Sequence, residues 1–138
     1  MSSQHGMVLI VDDNEVVREV VRSVVKELGF SKIVEAENGS DAWLEVQKAM
    51  VEEKNLRLII SDVDMPAMNG LEFLGKLRKH PHTSQLPVIM LTGHAEREII
   101  IQAVHGGVTG YIIKPFDMET VRTRIQETLG KAISAVAA

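Results

Sequence analysis

Five residues that can take part in phosphoryl chemistry stand at or directly after the ends of short apolar runs. Asp12 and Asp13 follow MVLIV, Asp62 follows LRLIIS, Thr92 closes PVIMLT, and Lys114 follows GYII. Carboxylates crowded into one place repel one another, and a cation normally compensates such a cluster. Because the sequence has no cysteine, the ligands must be oxygen or histidine, and an oxygen set favours Mg²⁺. A magnesium site that accepts a phosphoryl group is therefore predicted.

A bound phosphoryl group requires positioning and charge neutralisation more than covalent chemistry from the protein. Lys114 and the metal would stabilise its equatorial oxygens, and the Thr92 hydroxyl would donate to one of them. A carboxylate can also act as the nucleophile and form an aspartyl phosphate. The segment IISDVDMPAMNG offers two candidates for that role, Asp62 and Asp64.

Each of these residues alone has a simpler explanation. Asp12, Asp13 and Asn14 could cap a helix, Thr92 could lie in a turn, and Lys114 could be a solvated side chain. Their joint occurrence at four of five predicted strand ends favours the functional interpretation.

The apolar pattern predicts five strand–helix pairs that would position these residues. MVLIV is a β-branched run typical of a strand buried on both faces. The remaining strands are predicted at KIVEA, LRLIIS, PVIMLT and TGYIIK. Five helices are predicted: one along the apolar stripe Val17–Leu28, one over about 40–50, one from near Gly70, one over about 96–105 and one from Met118 to Leu129. This alternation predicts a doubly wound α/β fold with a parallel sheet, in which ligands bind beyond the carboxyl ends of the strands.

Length and composition limit the classes of protein. A chain of 138 residues, 45% of them hydrophobic, is expected to form one domain with a single core region. Apolar runs are short and the N-terminal residues do not resemble a signal peptide, so a soluble cytoplasmic protein without membrane contact is expected. A net charge of −4 argues against direct nucleic-acid binding. A protein partner or a small anion stays open.

Four motifs together resemble those of response-regulator receiver domains: IVDDN, IISDVDMPAMNG, PVIMLTG and GYIIKPF. The chain is most similar to the CheY-like single-domain members, from about Met7 to Lys131. The resemblance implies a flavodoxin-like sheet of five parallel strands in the order 2-1-3-4-5 with five helices. It also implies a flexible N-terminus over 1–6, a receiver domain over 7–131 and a C-terminal tail over 132–138.

The same resemblance assigns roles around the acidic residues. Asp62 would be the phosphoacceptor. Asp12, Asp13 and Asp62 would bind Mg²⁺ together with the backbone carbonyl of Asp64. The Asp64 side chain and His94 are candidates for adjusting the lifetime of the aspartyl phosphate.

Further roles follow for the residues of the fourth and fifth strands. Thr92 and Lys114 would contact the phosphoryl group, and the Lys114–Pro115 peptide bond is expected to be cis. Tyr111 would occupy the space that the Thr92 hydroxyl vacates when it moves inward. The alternative for Tyr111 is an ordinary half-buried aromatic residue.

The resemblance implies a signalling switch that catalyses only its own phosphorylation and dephosphorylation. The phosphoryl donor would be a sensor histidine kinase or a histidine phosphotransfer protein. Partner binding would change at the face formed by the fourth helix, the fifth strand and the fifth helix. The family suggests chemotaxis, with the flagellar motor switch as one candidate target.

Three alternative hypotheses also fit parts of the sequence. The chain could be the receiver portion of a longer regulator with a DNA-binding or enzymatic output domain, although KAISAVAA has no basic run. DVD is also similar to the nucleophile loop of Mg²⁺-dependent haloacid-dehalogenase-like phosphatases, but Pro66 and the upstream position of Asp12 and Asp13 oppose that class. A receiver that never accepts phosphate is disfavoured because all five chemical positions are filled.

Overall fold

Strands and helices alternate along the chain in the computed structural model, which describes residues 4–93 and 97–137. The elements are β1 Gln4–Val11, α1 Glu15–Glu27, β2 Phe30–Ala36, α2 Gly39–Val51, β3 Leu56–Asp62, α3 Gly70–Lys79, β4 Val88–Thr92, α4 Arg97–His105, β5 Gly110–Ile113 and α5 Met118–Ala137. The strands form one parallel sheet in the order β2-β1-β3-β4-β5. The predicted fold and strand order are confirmed.

An apolar cluster lies on each face of the sheet. Alternate residues of a strand point to opposite faces, so Val8 and Ile10 join one cluster while Leu9 and Val11 join the other. The cluster that contains Val8 and Ile10 also includes residues of α1 and α5. The cluster that contains Leu9 and Val11 also includes residues of α2, α3 and α4. The central strands are therefore buried on both faces, which is why their sequences read as continuous apolar runs.

Asparagine side chains cap the N-termini of the first three helices. Asn14 accepts hydrogen bonds from the N–H groups of Val16 and Val17 at the start of α1. Asn69 and Glu72 form a reciprocal capping box at the start of α3. Because Asn14 is the cap of α1, the capping alternative does not account for Asp12 and Asp13.

The elements extend beyond the expected limits at both ends. Gln4 of β1 pairs with Phe30 of β2 across an irregularity in register, so β1 begins three residues before the apolar run. Helix α5 continues to Ala137 through an alanine-rich segment that contains no proline. Secondary structure therefore covers part of the two segments expected to flank the receiver domain. In residues 4–93 and 97–137, the helices are too short or too polar to cross a bilayer.

The first residue of α3 lies against the backbone of the last residue of β3. The Gly70 N–H donates to the Val63 carbonyl at 2.9 Å. A Cβ atom at Gly70 would collide with the Asp62 carbonyl oxygen. A glycine is therefore required for α3 to start this close to the carboxyl end of β3.

Replacing Gly70 with alanine is expected to lower the free energy of unfolding by about 1–3 kcal/mol, the usual cost of overpacking. Urea denaturation measures this change. Gly75→Ala is the matched control, because the position lies in the same helix with open space at its Cβ. This control should gain about 0.5–1 kcal/mol from helix propensity. A Gly70→Ala protein as stable as the wild type would contradict the close approach.

Candidate functional site

Three carboxylates meet where β1 and β3 end side by side. One oxygen from each of Asp12, Asp13 and Asp62 lies within 4.8 Å of the others. Asp12 is 0% and Asp62 is 4% exposed, whereas Asp13 is exposed. We call these three residues the acidic cluster. It is closed on the protein side and open to solvent at Asp13.

Lys114 reaches the acidic cluster from the end of β5. Its Nζ donates to Asp12 Oδ2 at 2.9 Å and lies 3.3 Å from Asp62 Oδ1. Burial lowers the pKa of Lys114, but the hydrogen bond to Asp12 and the charges of Asp62 and Asp12 outweigh it, so the pKa is raised. Lys114 is therefore a charged ammonium that contacts two of the three carboxylates.

Burial is the main reason why the Asp62 carboxyl is hard to ionise. Together with the charge of Asp12, it raises the pKa of Asp62 to about 6, although Lys114 acts in the opposite direction. Within residues 4–93 and 97–137, Lys114 is the ammonium in contact with the cluster, and its single charge against three carboxylates leaves an excess of negative charge. A set of hard oxygen ligands with excess negative charge fits a divalent cation such as Mg²⁺.

Strand β4 brings Thr92 between the strands that carry Asp62 and Lys114. Thr92 is buried, and its carbonyl accepts a hydrogen bond from the Lys114 N–H at 2.7 Å. The Lys114–Pro115 peptide bond is cis, as expected. The structure therefore brings Asp12, Asp13, Asp62, Thr92 and Lys114 to one edge of the sheet.

The remaining candidates lie further out. Tyr111 is a half-buried residue of β5, with the Arg124 guanidinium 6.0 Å from its ring centroid. Asp64 is exposed and follows Val63, whose N–H donates to the Leu91 carbonyl at 3.0 Å. This bond fixes the backbone path towards Asp64. His94 lies outside the described residues.

Comparison with known proteins assigns the chain to a family. Residues 8–126 match the family model of the response regulator receiver domain. The chain belongs to this family. It is therefore a response regulator receiver domain, a class of signalling switch in two-component systems. The phosphatase alternative gains no support from this match.

Individual relatives support the same assignment. A chemotaxis protein CheY homologue of Campylobacter jejuni (strain 81-176) is 32% identical over 122 residues, covering 88% of this chain and 91% of that protein. The structure of chemotaxis response regulator CheY4 of Vibrio cholerae has a TM-score of 0.80 at 32% identity, covering 91% of this chain and 99% of that chain. A Borrelia burgdorferi CheX–CheY complex with BeF3 and Mg²⁺ has a TM-score of 0.79 at 24% identity, covering 88% of this chain and 87% of that chain. The last likeness concerns the fold alone.

Arg18 is a residue of this receiver site for which no role was predicted from the sequence. It does not belong to the apolar stripe of the first helix, yet the Arg18 side chain is only 11% exposed and its Nη1 donates to the Asp12 carbonyl at 2.7 Å. Glu35, at the end of β2, accepts hydrogen bonds from Arg18 and Arg22. The spacing of four residues between the arginines was the available signal, because it places both on one side of a helix.

In metal-free receiver protein, Asp62→Asn is expected to raise the free energy of unfolding at pH 8. The Asp62 pKa is about 6 in the folded protein against an ordinary 3.8, so the folded state holds this proton more tightly than the unfolded chain. Stability is consequently lost as the pH rises from about 4 to about 6. The neutral amide avoids a loss of up to about 3 kcal/mol, at about 1.4 kcal/mol per pKa unit.

Urea denaturation in EDTA at pH 4 and pH 8 measures this difference, which should be small at pH 4. Glu37→Gln, which removes an exposed carboxylate near the end of β2, serves as the control and should change stability by less than about 0.5 kcal/mol. An Asp62→Asn protein that is no more stable than the wild type at pH 8 would show that burial of this charge is not costly.

Proposed function

We propose that the receiver domain accepts a phosphoryl group on Asp62 and thereby changes its affinity for a protein partner. The donor is a sensor histidine kinase or a histidine phosphotransfer protein. The observation that carries this proposal is the position of Asp62, a buried carboxylate grouped with Asp12 and Asp13 and 3.3 Å from the Lys114 ammonium. This combination gives a nucleophile, a cation site and a counter-charge for phosphoryl oxygens.

The transfer step forms one bond and breaks one. An Asp62 carboxylate oxygen attacks the phosphorus of phosphohistidine, and the P–N bond breaks with its electron pair passing to the imidazole nitrogen, which takes up a proton. The product is an aspartyl phosphate. Lys114 pairs with phosphoryl oxygens, and the Thr92 hydroxyl donates to one of them.

The acidic cluster and the backbone carbonyl of Asp64 would hold Mg²⁺. A bound Mg²⁺ supplies positive charge that neutralises the phosphoryl oxygens and the excess charge of the carboxylates. The oxygen ligand set supports this choice. Further support comes from the Borrelia burgdorferi CheY structure, whose complex contains Mg²⁺ and BeF3.

The phosphoryl group acts as a switch through the neighbouring strands. We infer that the Thr92 hydroxyl moves towards the phosphoryl group and that the Tyr111 ring follows into the space it leaves. The Asp64 side chain and His94 adjust the lifetime of the aspartyl phosphate.

The chain acts in the cytoplasm, and residues 7–131 form its receiver domain. It catalyses only its own phosphorylation and dephosphorylation.

The face formed by α4, β5 and α5 is the proposed partner surface. Among the described residues of these three elements, Ile101, Val104, Ile113 and Met118 are 38–58% exposed. Large apolar side chains left exposed are available for contact with a protein partner. Similarity to two chemotaxis proteins supports a role in chemotaxis. A flagellar motor switch protein is the proposed partner.

Incubation with Mg²⁺ and acetyl phosphate is expected to add one phosphoryl mass to the wild-type protein and none to Asp62→Asn, because the amide is not a nucleophile. Intact-protein mass spectrometry measures the adduct, and EDTA should abolish it. Asp64→Asn is the matched control: it keeps the acceptor, should gain the same mass, and is expected to change the decay rate of the adduct.

Two results would contradict this assignment. An adduct of equal yield in Asp62→Asn would place the acceptor elsewhere. Sustained turnover of p-nitrophenyl phosphate would instead favour the phosphatase hypothesis.

Activation with beryllofluoride is expected to strengthen binding to a purified flagellar motor switch protein, as measured by isothermal titration calorimetry. Val104→Glu on α4 should weaken the activated complex about tenfold or more, because a charge replaces an apolar contact. Leu44→Glu on α2 is the control, with similar exposure of 62% against 58% for Val104. Equal affinity with and without activation would contradict the chemotaxis proposal while leaving phosphorylation of Asp62 intact.

A further inference from the structure

We propose that Arg18 is a positioning residue for the acidic cluster. It holds the peptide group between Asp12 and Asp13 so that both carboxylates face one divalent cation. The inference rests on the proposed function, because it concerns the cation site of the same receiver domain. It assigns a role in cation binding to a side chain that contacts neither the phosphoryl group nor the cation.

The first observation is the hydrogen bond from Arg18 Nη1 to the Asp12 carbonyl, which is 2.7 Å long and partly buried. The Asp12 carbonyl and the Asp13 amide nitrogen belong to one planar peptide group. Fixing the carbonyl therefore fixes the direction in which the chain continues to Asp13.

Asp12 and Asp13 differ in how their carboxylates are held. The Asp12 carboxylate accepts hydrogen bonds from the Asn14 N–H and from Lys114, each at 2.9 Å. No hydrogen bond or ion pair restrains the Asp13 carboxylate within the part of the chain that the structure describes. The position of Asp13 therefore depends on its backbone, and Arg18 holds the peptide group that precedes it.

The second observation is that Arg18 is itself held. Its Nε donates to Glu35 Oε1 at 3.0 Å, and Arg22 Nη1 donates to Glu35 Oε2 at 2.6 Å. Burial alone would raise the pKa of Glu35, but the hydrogen bonds and charges of Arg22 and Arg18 together lower it. Glu35 is thus an ionised partner that fixes the Arg18 guanidinium and offsets its charge near the cation site.

Positioning and simple electrostatics predict opposite effects of removing the arginine. Loss of one positive charge near the acidic cluster would strengthen cation binding if charge alone mattered. Loss of the bond to the Asp12 carbonyl would weaken cation binding by loosening Asp13. Residues that orient metal ligands typically contribute about 10–100-fold to metal affinity.

The test measures Mn²⁺ binding to metal-free protein by electron paramagnetic resonance, with Mg²⁺ as competitor. Arg18→Met is expected to weaken Mn²⁺ binding about tenfold. Arg18→Lys keeps the charge but loses the planar fork that reaches two acceptors, so a loss of a few-fold is expected. In an Asp13→Asn background, the effect of Arg18→Met should shrink to less than about twofold, because the carboxylate through which Arg18 acts is gone.

Arg122→Met is the matched control. Arg122 pairs with Glu27 at 2.6 Å and links α5 to the opposite end of α1, so its loss should leave Mn²⁺ affinity within about twofold of the wild type. Folded Arg18→Met protein that binds Mn²⁺ as tightly as the wild type, or more tightly, overturns the inference. A loss that persists in full in the Asp13→Asn background overturns it as well.

The experiment separates this inference from the proposed function. If the wild type binds Mn²⁺ and is phosphorylated while the Arg18 variants behave identically, the inference about Arg18 alone is wrong. If the wild type binds no Mn²⁺ at all, the cation site and the role of Arg18 are both wrong.

Discussion

The carboxylates of Asp12 and Asp62 are almost completely removed from water, and the ammonium of Lys114 contacts both of them. Burial of like charges this close together is costly unless a cation balances them. One lysine balances part of the charge of the acidic cluster, and Asp13 leaves the solvent side open. The acidic cluster thus keeps an excess of negative charge, which the divalent cation of the proposed function would neutralise.

Packing and hydrogen bonds hold the backbone segments that carry these buried charges in place. Apolar clusters on both faces fix the central strands, and capped helices begin shortly after β1 and β3. Gly70 allows α3 to start directly against the backbone that carries Asp62. Hydrogen bonds from Val63 and Lys114 to β4 fix the segments that leave β3 and β5. The charged groups therefore have little freedom to move apart.

Much of the fold could be predicted because buried parallel strands have continuous apolar sequences. The five residues of the predicted phosphoryl site stood at the ends of these apolar runs.

The role of Arg18 could not be predicted from the sequence. Amphipathic periodicity identifies the polar face of a helix, but it does not show which arginine on that face contacts the end of a strand. Recognising Glu35 required the register of β2 against β1, which pairs it with Ile10. The start of β1 at Gln4 escaped detection because its pairing uses backbone groups of a polar segment.

The ion pair between Asp12 and Lys114 joins residues 102 positions apart in the chain. During synthesis on a ribosome, the three aspartates emerge well before the lysine that balances them. A nascent chain thus has Asp62, the proposed acceptor, long before it has the complete site. Under the proposed function, the chain could accept a phosphoryl group only once the last strand has joined the sheet, so the onset of signalling would depend on the completion of folding.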